Sequence, residues 1–443
     1  MKNRIKSVYT ASIVAALGGL LFGFDTGVIS GALPSMKSFF VLNDVWEGIT
    51  VSALIFGCII GVTFSNKPGE VLGRKKTLLL TALLFFLSAL GTALTNQLDF
   101  FILYRILGGI AVGTASVFSP LYISEIAPAN NRGKLVALNQ LAIVLGIALS
   151  FYSNYFLSSL GPESWRYMLG VMGVPALLFF ISLWFVPESP RWLILKGNEV
   201  KALRLLKQIN GEKEGEKVHR EIILNKSESD DPPFSRLFSK DMRKVLIIGL
   251  MIAVFSQITG INAIMYYAPT IFKSMGASTE TALWQQAIIG LVNLIFTVLA
   301  IVWIDRIGRK PLLITGVTVM LMSLTIIAVA FFMEYFTGYV VLISILLFIA
   351  SFAASLGPVS WVLLSEIFPN AIRSKAMSIS VLSLWLSNLF IAFTFPILRD
   401  RLGGGSAFLI FAISSLILLV FIMKYVPETK GKTLEELELE LTK

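Results

Sequence analysis

Twelve long apolar runs constrain this chain more than any other feature of its sequence. They lie at about 9–31, 49–66, 77–95, 100–123, 135–157, 166–186, 245–271, 282–304, 311–333, 338–364, 376–396 and 406–426. Each run is close to the roughly 20 residues that an α-helix needs to cross a bilayer. Backbone groups in lipid must be hydrogen-bonded within their own segment, so such runs form helices and not strands. The sequence therefore predicts an all-α integral membrane protein with twelve transmembrane helices.

The composition agrees with a membrane protein. Hydrophobic residues make up 56% of the chain and charged residues only 14%, whereas a soluble domain carries about 25% charged residues. The formal net charge is +10, which raises the possibility of a nucleic-acid surface. The cations lie mainly in short connections between apolar runs, which favours membrane orientation over nucleic-acid binding as their role.

The distribution of cations predicts the orientation. With the N-terminus inside, fourteen cations of the short segments fall on the inner side: Lys2, Arg4, Lys6, Lys67, Arg74, Lys75, Lys76, Arg132, Lys134, Arg306, Arg309, Lys310, Arg373 and Lys375. Five fall outside: Lys37, Arg166, Lys273, Arg399 and Arg401. Cytoplasmic loops carry the excess of Lys and Arg, so both termini are predicted to be cytoplasmic. Arg399 and Arg401 are the weakest part of this count.

Scarce cysteine and histidine exclude several kinds of site. The one cysteine, Cys58, allows neither a disulfide framework nor a cysteine-based metal site within the chain. The one histidine, His219, excludes a histidine-dependent triad and a histidine-rich metal site. The sequence also lacks a phosphate-binding glycine loop and a nucleophile–base set. We therefore predict no enzyme, no metal and no cofactor.

A polar stretch divides the runs into six and six. We predict an N-terminal bundle at 1–186, a cytoplasmic linker at 187–243, a C-terminal bundle at 244–426 and a cytoplasmic tail at 427–443. Within the linker, Val200, Leu203, Leu206 and Ile209 recur at helical spacing. This pattern predicts a short amphipathic helix on the inner membrane face and no globular regulatory domain.

The two halves carry matching charged motifs at the inner ends of their helices. The motif EVLGRK at 70–75 matches DRIGRK at 305–310, EIAP at 125–128 matches EIFP at 366–369, and PES at 187–189 matches PET at 427–429. Such a repeat predicts a two-half transporter with a substrate site between the halves. We predict a cytoplasmic gate held shut by ion pairs across neighbouring helices, formed by Glu70, Arg74, Glu125, Arg132, Glu188, Arg191, Asp305, Arg309, Glu366, Arg373 and Glu428. Simple anchoring of helix ends by cations is the alternative.

Two charged residues lie deep in apolar runs. Asp25 in the first run and Arg105 in the fourth are each six residues from the expected outer end, with the first helix ending near Gly31. That is a depth of roughly 9 Å, so we expect an ion pair, because an unpaired charge at the centre of a span costs at least about 2.5 kcal/mol. The pair is either a proton site or a fixed structural contact.

A glycine face surrounds this acid. Gly18, Gly19, Gly23, Gly27 and Gly31 recur along the first run. Small residues at such spacing let helices approach closely. We therefore expect the first helix to pack tightly against a neighbour on this face.

Several motifs together resemble the sugar porters of the major facilitator superfamily. They are GGLLFGFDTGVISG at 18–31, Tyr104-Arg105, PESPRW at 187–192, QITGIN at 257–262 with Tyr266-Tyr267, and PETKGK at 427–432. Within the family, the segment 359–373 is most similar to the bacterial proton–xylose symporters. The resemblance covers the whole chain and implies the major facilitator fold, in which two pseudo-symmetric six-helix bundles alternate in access.

The resemblance also implies roles for individual residues. Asp25 would bind the proton, with Arg105 as its partner. Trp361 would stack on the sugar ring, and Phe22, Tyr266, Tyr267 and Trp385 would line or gate the cavity. The sugar hydroxyls would be bound by Gln140, Gln257, Asn262, Asn293 and Asn388.

Side-chain amides are chemically suited to bind sugar hydroxyls, but Gln257 and Asn262 can do so together only if they share a face. Carboxamides both donate and accept hydrogen bonds, as sugar hydroxyls do. Gln257 and Asn262, however, point about 140° apart on an unbroken helix. They share a face only if the helix is broken near Gly260. The alternative for each amide is an interhelical hydrogen bond.

Departures from the xylose symporters leave the sugar open. Those proteins have a glutamate where Met172 stands, a second glutamine at Ser256, a tryptophan at Leu356 and a glutamine at Leu384. These differences make a hexose as plausible as a pentose. Asn66 and Glu70 also replace the usual residues of the loop motif, which predicts a weaker gate than the motif at Asp305.

We therefore predict a proton-coupled monosaccharide importer of the bacterial inner membrane. Its expected partners are a small sugar, a proton and the lipid bilayer, with no nucleic acid, and it is expected to be a monomer. The main alternative is a passive sugar facilitator on the same fold. More distant alternatives are a non-transporting sugar sensor, a membrane enzyme and a transporter of another solute.

Overall fold

The described backbone consists mainly of helices joined by short connections. The computed structural model describes residues 2–128, 131–227, 234–239, 242–336, 339–369, 372–432 and 436–437, and these contain no β-strand. Before the linker the helices are α1 Lys2–Phe39, α2 Asp44–Phe64, α3 Asn66–Val71, α4 Arg74–Leu94, α5 Leu98–Ile126, α6 Arg132–Leu157, α7 Ser164–Gly170 and α8 Gly173–Leu183. In the linker they are α9 Pro190–Leu195, α10 Glu199–Asn210 and α11 Glu212–Ser227. After it they are α12 Arg243–Ile258, α13 Ile261–Ser274, α14 Thr279–Ile307, α15 Arg309–Phe332, α16 Val340–Ala354, α17 Leu356–Ile367 and α18 Arg373–Tyr425.

The predicted spans agree with the helices. Among the described residues, 11 helical stretches are long and apolar enough to cross a membrane, and each of the twelve predicted runs overlaps one of them. The stretch Lys375–Tyr425 contains the last two runs. Gly403, with φ 80° and ψ 157°, interrupts the helix between them. Because this one stretch contains two predicted spans, the 11 stretches correspond to twelve spans.

The end of the first span was predicted wrongly. The expected end near Gly31 is an interior position, because α1 continues to Phe39. Ala32, Leu33 and Met36 are buried in the added turns, so packing stabilises the helix beyond its most apolar part. Pro34 lies inside this segment.

Glycines let neighbouring helices meet backbone to backbone. A Cβ atom on Gly23 of α1 would overlap the carbonyl oxygen of Ile143 in α6, and one on Gly146 of α6 would overlap that of Leu20. The close packing predicted for the glycine face of α1 is therefore present against α6. The same arrangement joins α2 to α5, where a Cβ atom on Gly109 would overlap the carbonyl oxygen of Leu54.

The contacts of the chain divide it into two compact units. The first comprises Met1–Ala32 and Ala53–Asp230, and the second comprises Leu33–Ser52 and Asp231–Lys443. The end of α1 and the start of α2 thus pack with the second unit, whereas the remainder of both helices packs with the first. The helices of the linker pack with the first unit.

An ion cluster anchors the segment 33–52 in the second unit. Glu47 is fully buried, and its Oε2 lies 2.6 Å from Lys37 Nζ and 3.6 Å from Arg399 Nη2. Asp44 lies 3.1 Å from the same Lys37 atom and 3.6 Å from the same Arg399 atom. Arg399, a weak point of the charge count, is therefore an ion-pair partner of two acids.

The linker contains more structure than one amphipathic helix. The predicted helix is α10, but its apolar side packs on α9 and α11. Leu193, Ile194, Ala202 and Leu206 form the buried core of this three-helix cluster. Of the predicted pattern, Leu206 belongs to this core, Leu203 and Ile209 are half-buried, and Val200 is 77% exposed.

Substituting Gly109 should destabilise the protein. In Gly109→Ala the added methyl group must displace the backbone of α2, so overpacking should cost about 3 kcal/mol. Gly133→Ala is a matched control, because a Cβ atom there has nothing within 4 Å and alanine favours a helix by about 0.5 kcal/mol. Thermal unfolding of both variants in one detergent tests this. Equal midpoints would show that the α2–α5 contact is loose.

Candidate functional site

The first candidate group is an ion pair inside the first unit. Arg105 of α5 donates from Nη1 to Oδ1 of Asp25 in α1. The side chains are 1% and 0% exposed. Asp25 and Arg105 were predicted to lie at equal depth, counted from an end of the first helix near Gly31. That end is wrong, yet the two side chains do form the ion pair. Their role in proton binding stays a prediction.

This pair is incompletely bonded. Asp25 Oδ2 and Arg105 Nε and Nη2 are buried and have no hydrogen-bond partner among the described residues. Removing one member of a buried ion pair is costly, but a pair with unmet hydrogen-bonding atoms is itself poorly stabilised. The arrangement therefore leaves an oxygen of Asp25 able to take a proton.

The second candidate group forms where α12 gives way to α13. Gly260 has φ 88°, in the left-handed region that glycine adopts without strain, and a Cβ atom there would overlap the ring of Phe411. The break turns Asn262 back onto Gln257, and Asn262 Nδ2 donates to Gln257 Oε1 at 2.5 Å. The geometric condition set for these two amides is therefore met.

More of the predicted polar and aromatic residues extend this group. Tyr266 lies one turn after Asn262 on α13, so their side chains share a face. Asn388 of α18 donates from Nδ2 to Tyr266 Oη at 3.3 Å, and its Oδ1 is buried without a partner in the described part of the chain. Tyr267 is fully buried and donates to the carbonyl oxygen of Ala392 at 2.8 Å. Tyr267 thus holds α13 against α18.

The remaining predicted sugar-site residues lie on α1, α6, α14, α17 and α18. Asn293 of α14 and Trp385 of α18 are buried in the second unit. Trp361 of α17 is 42% exposed, so its indole has an accessible surface. Gln140 of α6 and Phe22 of α1 are half-buried in the first unit. Their predicted contact with a sugar stays a prediction.

The repeated motifs form the same ion pair in each unit. Arg74 bonds to both carboxylate oxygens of Glu125, with Nη2 to Oε1 at 2.9 Å and Nε to Oε2 at 3.0 Å. Arg309 does the same to Glu366, at 2.8 Å from Nη2 and 3.2 Å from Nε. Two-point contacts of this kind fix geometry as well as charge. Thr429 donates to Glu366 Oε2 at 2.5 Å.

A second acid of each motif caps a helix. Glu188 accepts from the backbone amides of Arg74 and Lys75, each at 3.0 Å, so its charge faces the positive N-terminus of α4. Glu428 accepts from the amides of Arg309 and Lys310, each at 3.1 Å, at the N-terminus of α15. A Cβ atom at the preceding glycine would collide with the carboxylate in both cases, with Gly308 at 2.7 Å from Glu428 Oε2.

The two capping acids differ in acidity. Burial raises the pKa of Glu188 above its ordinary value of 4.5, although amide hydrogen bonds oppose the rise. Burial acts in the same direction on Glu428. There the amides of Lys430, Arg309 and Lys310 outweigh it, and the pKa lies below 4.5.

Four other predicted gate residues do not form the expected ion pairs with described residues: Glu70, Arg132, Arg191 and Arg373. Within the described residues, Glu70, Arg132 and Arg191 have no acid–base partner. Glu70 and Arg191 are exposed, so water solvates them, and Arg132 keeps a buried Nε without a partner. Arg373 donates to the carbonyl oxygen of Phe368 at 3.1 Å. The side chain of Asp305 lies outside the described residues.

Two contributors were given no role from the sequence. Ser256, noted only as a departure from the xylose symporters, accepts a hydrogen bond from Gln257 Nε2 at 3.0 Å, and its position beside a predicted ligand was the available signal. Glu47 holds an ion cluster at the start of α2. Its place next to an apolar run gave a weak signal, because residues at helix starts are commonly acidic.

Comparison with known families gives one match over nearly the whole chain. A family model described as "Sugar (and other) transporter" matches residues 11–441. The D-xylose-proton symporter of Escherichia coli (strain K12) is 42% identical, covering 97% of this chain and 95% of the relative. The arabinose-proton symporter of Bacillus subtilis is 39% identical, covering 97% and 94%.

A solved structure agrees with these matches. The inward-open conformation of the xylose transporter of E. coli aligns with a TM-score of 0.87 at 40% identity, covering 98% of this chain and 100% of that one. The fold of the chain is therefore that of this transporter.

The capping acids should respond differently to pH. A raised pKa means that the folded protein binds more protons than the unfolded chain, so the contribution of Glu188 to stability grows as pH falls towards 4.5. The difference in thermal unfolding midpoint between wild type and Glu188→Gln should therefore change between about pH 7 and about pH 5. The contribution of Glu428 is fully present above 4.5, so the difference for Glu428→Gln should stay constant. Thermal unfolding across this range tests both, and parallel curves would contradict the assignment.

Proposed function

The chain belongs to the sugar transporter family, and from that premise we propose that it carries a monosaccharide with a proton across the bacterial inner membrane by alternating access. Members of this family transport solutes and are not enzymes. The observation that carries the proton part is the buried, incompletely bonded pair of Asp25 and Arg105. The observation that supports the sugar part is the amide group at the break between α12 and α13.

The proton would bind Asp25. Its Oδ2 is buried and has no partner among the described residues, so a proton can bind there without displacing another hydrogen bond. Arg105 favours the ionised acid when close and loses that influence when the helices move apart. Movement of α1 against α5 would therefore couple proton release to the transport cycle.

The sugar would bind the amides of the second unit. Amides that donate and accept can match neighbouring ring hydroxyls, and an exposed indole such as Trp361 offers an apolar face for the ring. Relatives named for D-xylose and arabinose support a small monosaccharide. Ser256, Leu356 and Leu384 differ from the residues of the xylose symporters and change the surroundings of the sugar, so a hexose fits the proposal as well as a pentose does.

The motifs at the helix ends would stabilise the gate side of each bundle. The ion pairs of Arg74 and Arg309 lie inside their own units, and each holds two helix ends together, α4 with α5 and α15 with α17. Arg132 and Arg191 keep unpaired guanidinium groups among the described residues and are available to partners in another state of the cycle. The charge count supports cytoplasmic termini, and we propose a monomer.

Proton coupling predicts a pH signal. In liposomes containing the purified protein, adding sugar outside should make the external medium more alkaline as protons enter with it. A passive facilitator, the main alternative, would carry sugar with no such change. An indicator dye outside the vesicles measures the difference.

Replacing the acid should separate accumulation from exchange. Asp25→Asn should abolish accumulation against a gradient and leave sugar exchange, because the neutral amide imitates the protonated acid. Asp99→Asn is the matched control, since Asp99 is exposed at the start of α5, and it should accumulate sugar normally. Accumulation that survives in Asp25→Asn would remove the proton role.

The amide group should determine sugar affinity. Asn388→Ala should weaken binding of the best monosaccharide about tenfold, the usual loss when one hydrogen bond to a buried group is removed. Asn198→Ala is the control, because Asn198 is exposed and its side chain caps no helix. Calorimetry against xylose, arabinose, glucose and galactose measures both affinity and preference. Equal affinities of the two variants would place the sugar elsewhere.

A further inference from the structure

We propose that Ser256 is a positioning residue that fixes the direction of the hydrogen bonds in the sugar site, so that Asn262 offers an acceptor oxygen to one hydroxyl of the sugar. This inference rests on the proposed function, since it concerns the same site. It adds a residue that does not itself contact the sugar, and a rule for which sugars are accepted.

The order of donors and acceptors along these hydrogen bonds is set by a backbone carbonyl group. Ser256 Oγ lies 2.7 Å from the carbonyl oxygen of Ala253, one turn earlier in α12. A carbonyl oxygen can only accept a hydrogen bond. Ser256 must therefore give its single proton to Ala253, and its oxygen remains available only as an acceptor.

The same order of donor and acceptor continues through the side-chain amides of Gln257 and Asn262. Because Ser256 accepts, the group of Gln257 that faces it at 3.0 Å is the donor Nε2. Gln257 then turns its Oε1 towards Asn262, whose Nδ2 donates to it at 2.5 Å. Ser256 and Gln257 are 3% and 7% exposed, so water competes little with this chain of bonds.

The chain of bonds ends at a group that a ligand can reach. Asn262 is half-buried, and its Nδ2 already points at Gln257. Its Oδ1 accepts from no other group in the part of the protein that is described. A sugar hydroxyl that meets Asn262 Oδ1 must therefore donate its proton.

The left-handed glycine makes this geometry possible. Without the break at Gly260, Asn262 would point away from Gln257. The chain of hydrogen bonds that starts at Ala253 would then end at Gln257 in α12. The break brings the two amides together at the end of α12. Ser256 thus acts on Asn262 only through Gln257.

Fluorinated sugars test the rule, because fluorine accepts hydrogen bonds weakly and cannot donate them. The measurement is the dissociation constant of D-xylose or D-glucose, whichever wild type binds more tightly, and of its monodeoxy-monofluoro analogues at each ring hydroxyl. For wild type we expect one position at which fluorine weakens binding at least about tenfold, because Asn262 Oδ1 loses its donor. Wild type that tolerates fluorine at every position would overturn the proposal.

Removing the Ser256 hydroxyl should reduce the loss of affinity that fluorine causes at the sensitive position. In Ser256→Ala, Gln257 can turn its amide over, Asn262 can follow, and its Nδ2 can face the sugar. The penalty at the sensitive position should then fall to about twofold, while the parent sugar loses only a modest part of its affinity. Ser256→Thr keeps the hydroxyl and should restore the wild-type penalty. Ser256→Cys replaces Ser256→Ala if the alanine variant is not monodisperse.

The outcomes separate the two proposals. If Ser256→Ala weakens the parent sugar and every analogue by one common factor, Ser256 is merely structural and the inference is wrong, although the proposed function stands. If wild type neither binds nor transports any monosaccharide tested, the proposed function fails and takes this inference with it.

Discussion

Hydrocarbon offers no hydrogen-bond partner, and this constraint decides most of the structure. It makes every long apolar run a helix, and it confines breaks in those helices to places where protein covers the exposed backbone groups. Gly260 is such a place, since the ring of Phe411 packs against it. The same constraint makes close contact valuable, and glycines at Gly23, Gly57 and Gly109 let carbonyl oxygens of neighbouring helices approach where a side chain would prevent it.

The two units share the bonding at their helix ends and differ in their interiors. In both, one arginine binds an acid through two nitrogen atoms, and another acid caps the helix that begins with that arginine. The buried pair of Asp25 and Arg105 lies in the first unit only, and the bonded amides around Gln257 lie in the second. The repeated residues are those that hold helices together, whereas the unrepeated residues are those to which we assign chemistry. A substitution at a repeated position should therefore affect folding first and transport second.

Much of the fold could be predicted from the sequence, because apolar length and the charge of helix ends are local properties. All twelve runs and the ends of α4, α5 and α15 were found in this way. The length of α1 was not, because its last turns are stabilised by contacts of Leu33 and Met36 that no local pattern reveals. For the site, spacing identified Gln257 and Asn262 and the condition under which they could meet, and the pairing of Asp25 with Arg105 followed from the cost of isolated charge. Glu47 and the hydrogen-bonding role of Ser256 were not predicted, because both depend on partners brought close by tertiary folding.

Asp25 is the single acid within the twelve apolar runs, and this sets a thermodynamic ceiling. In the proposed cycle, in which Asp25 carries the proton, one carboxylate moves one proton per sugar. A proton-motive force of about 100 mV supplies about 2.3 kcal/mol per proton, which sustains a concentration ratio of roughly fifty-fold, since each tenfold step needs about 1.4 kcal/mol. A cell that relies on this protein gains from scarce sugar only down to the external level at which that ratio is reached, and below it the carrier runs backwards and sugar leaks out.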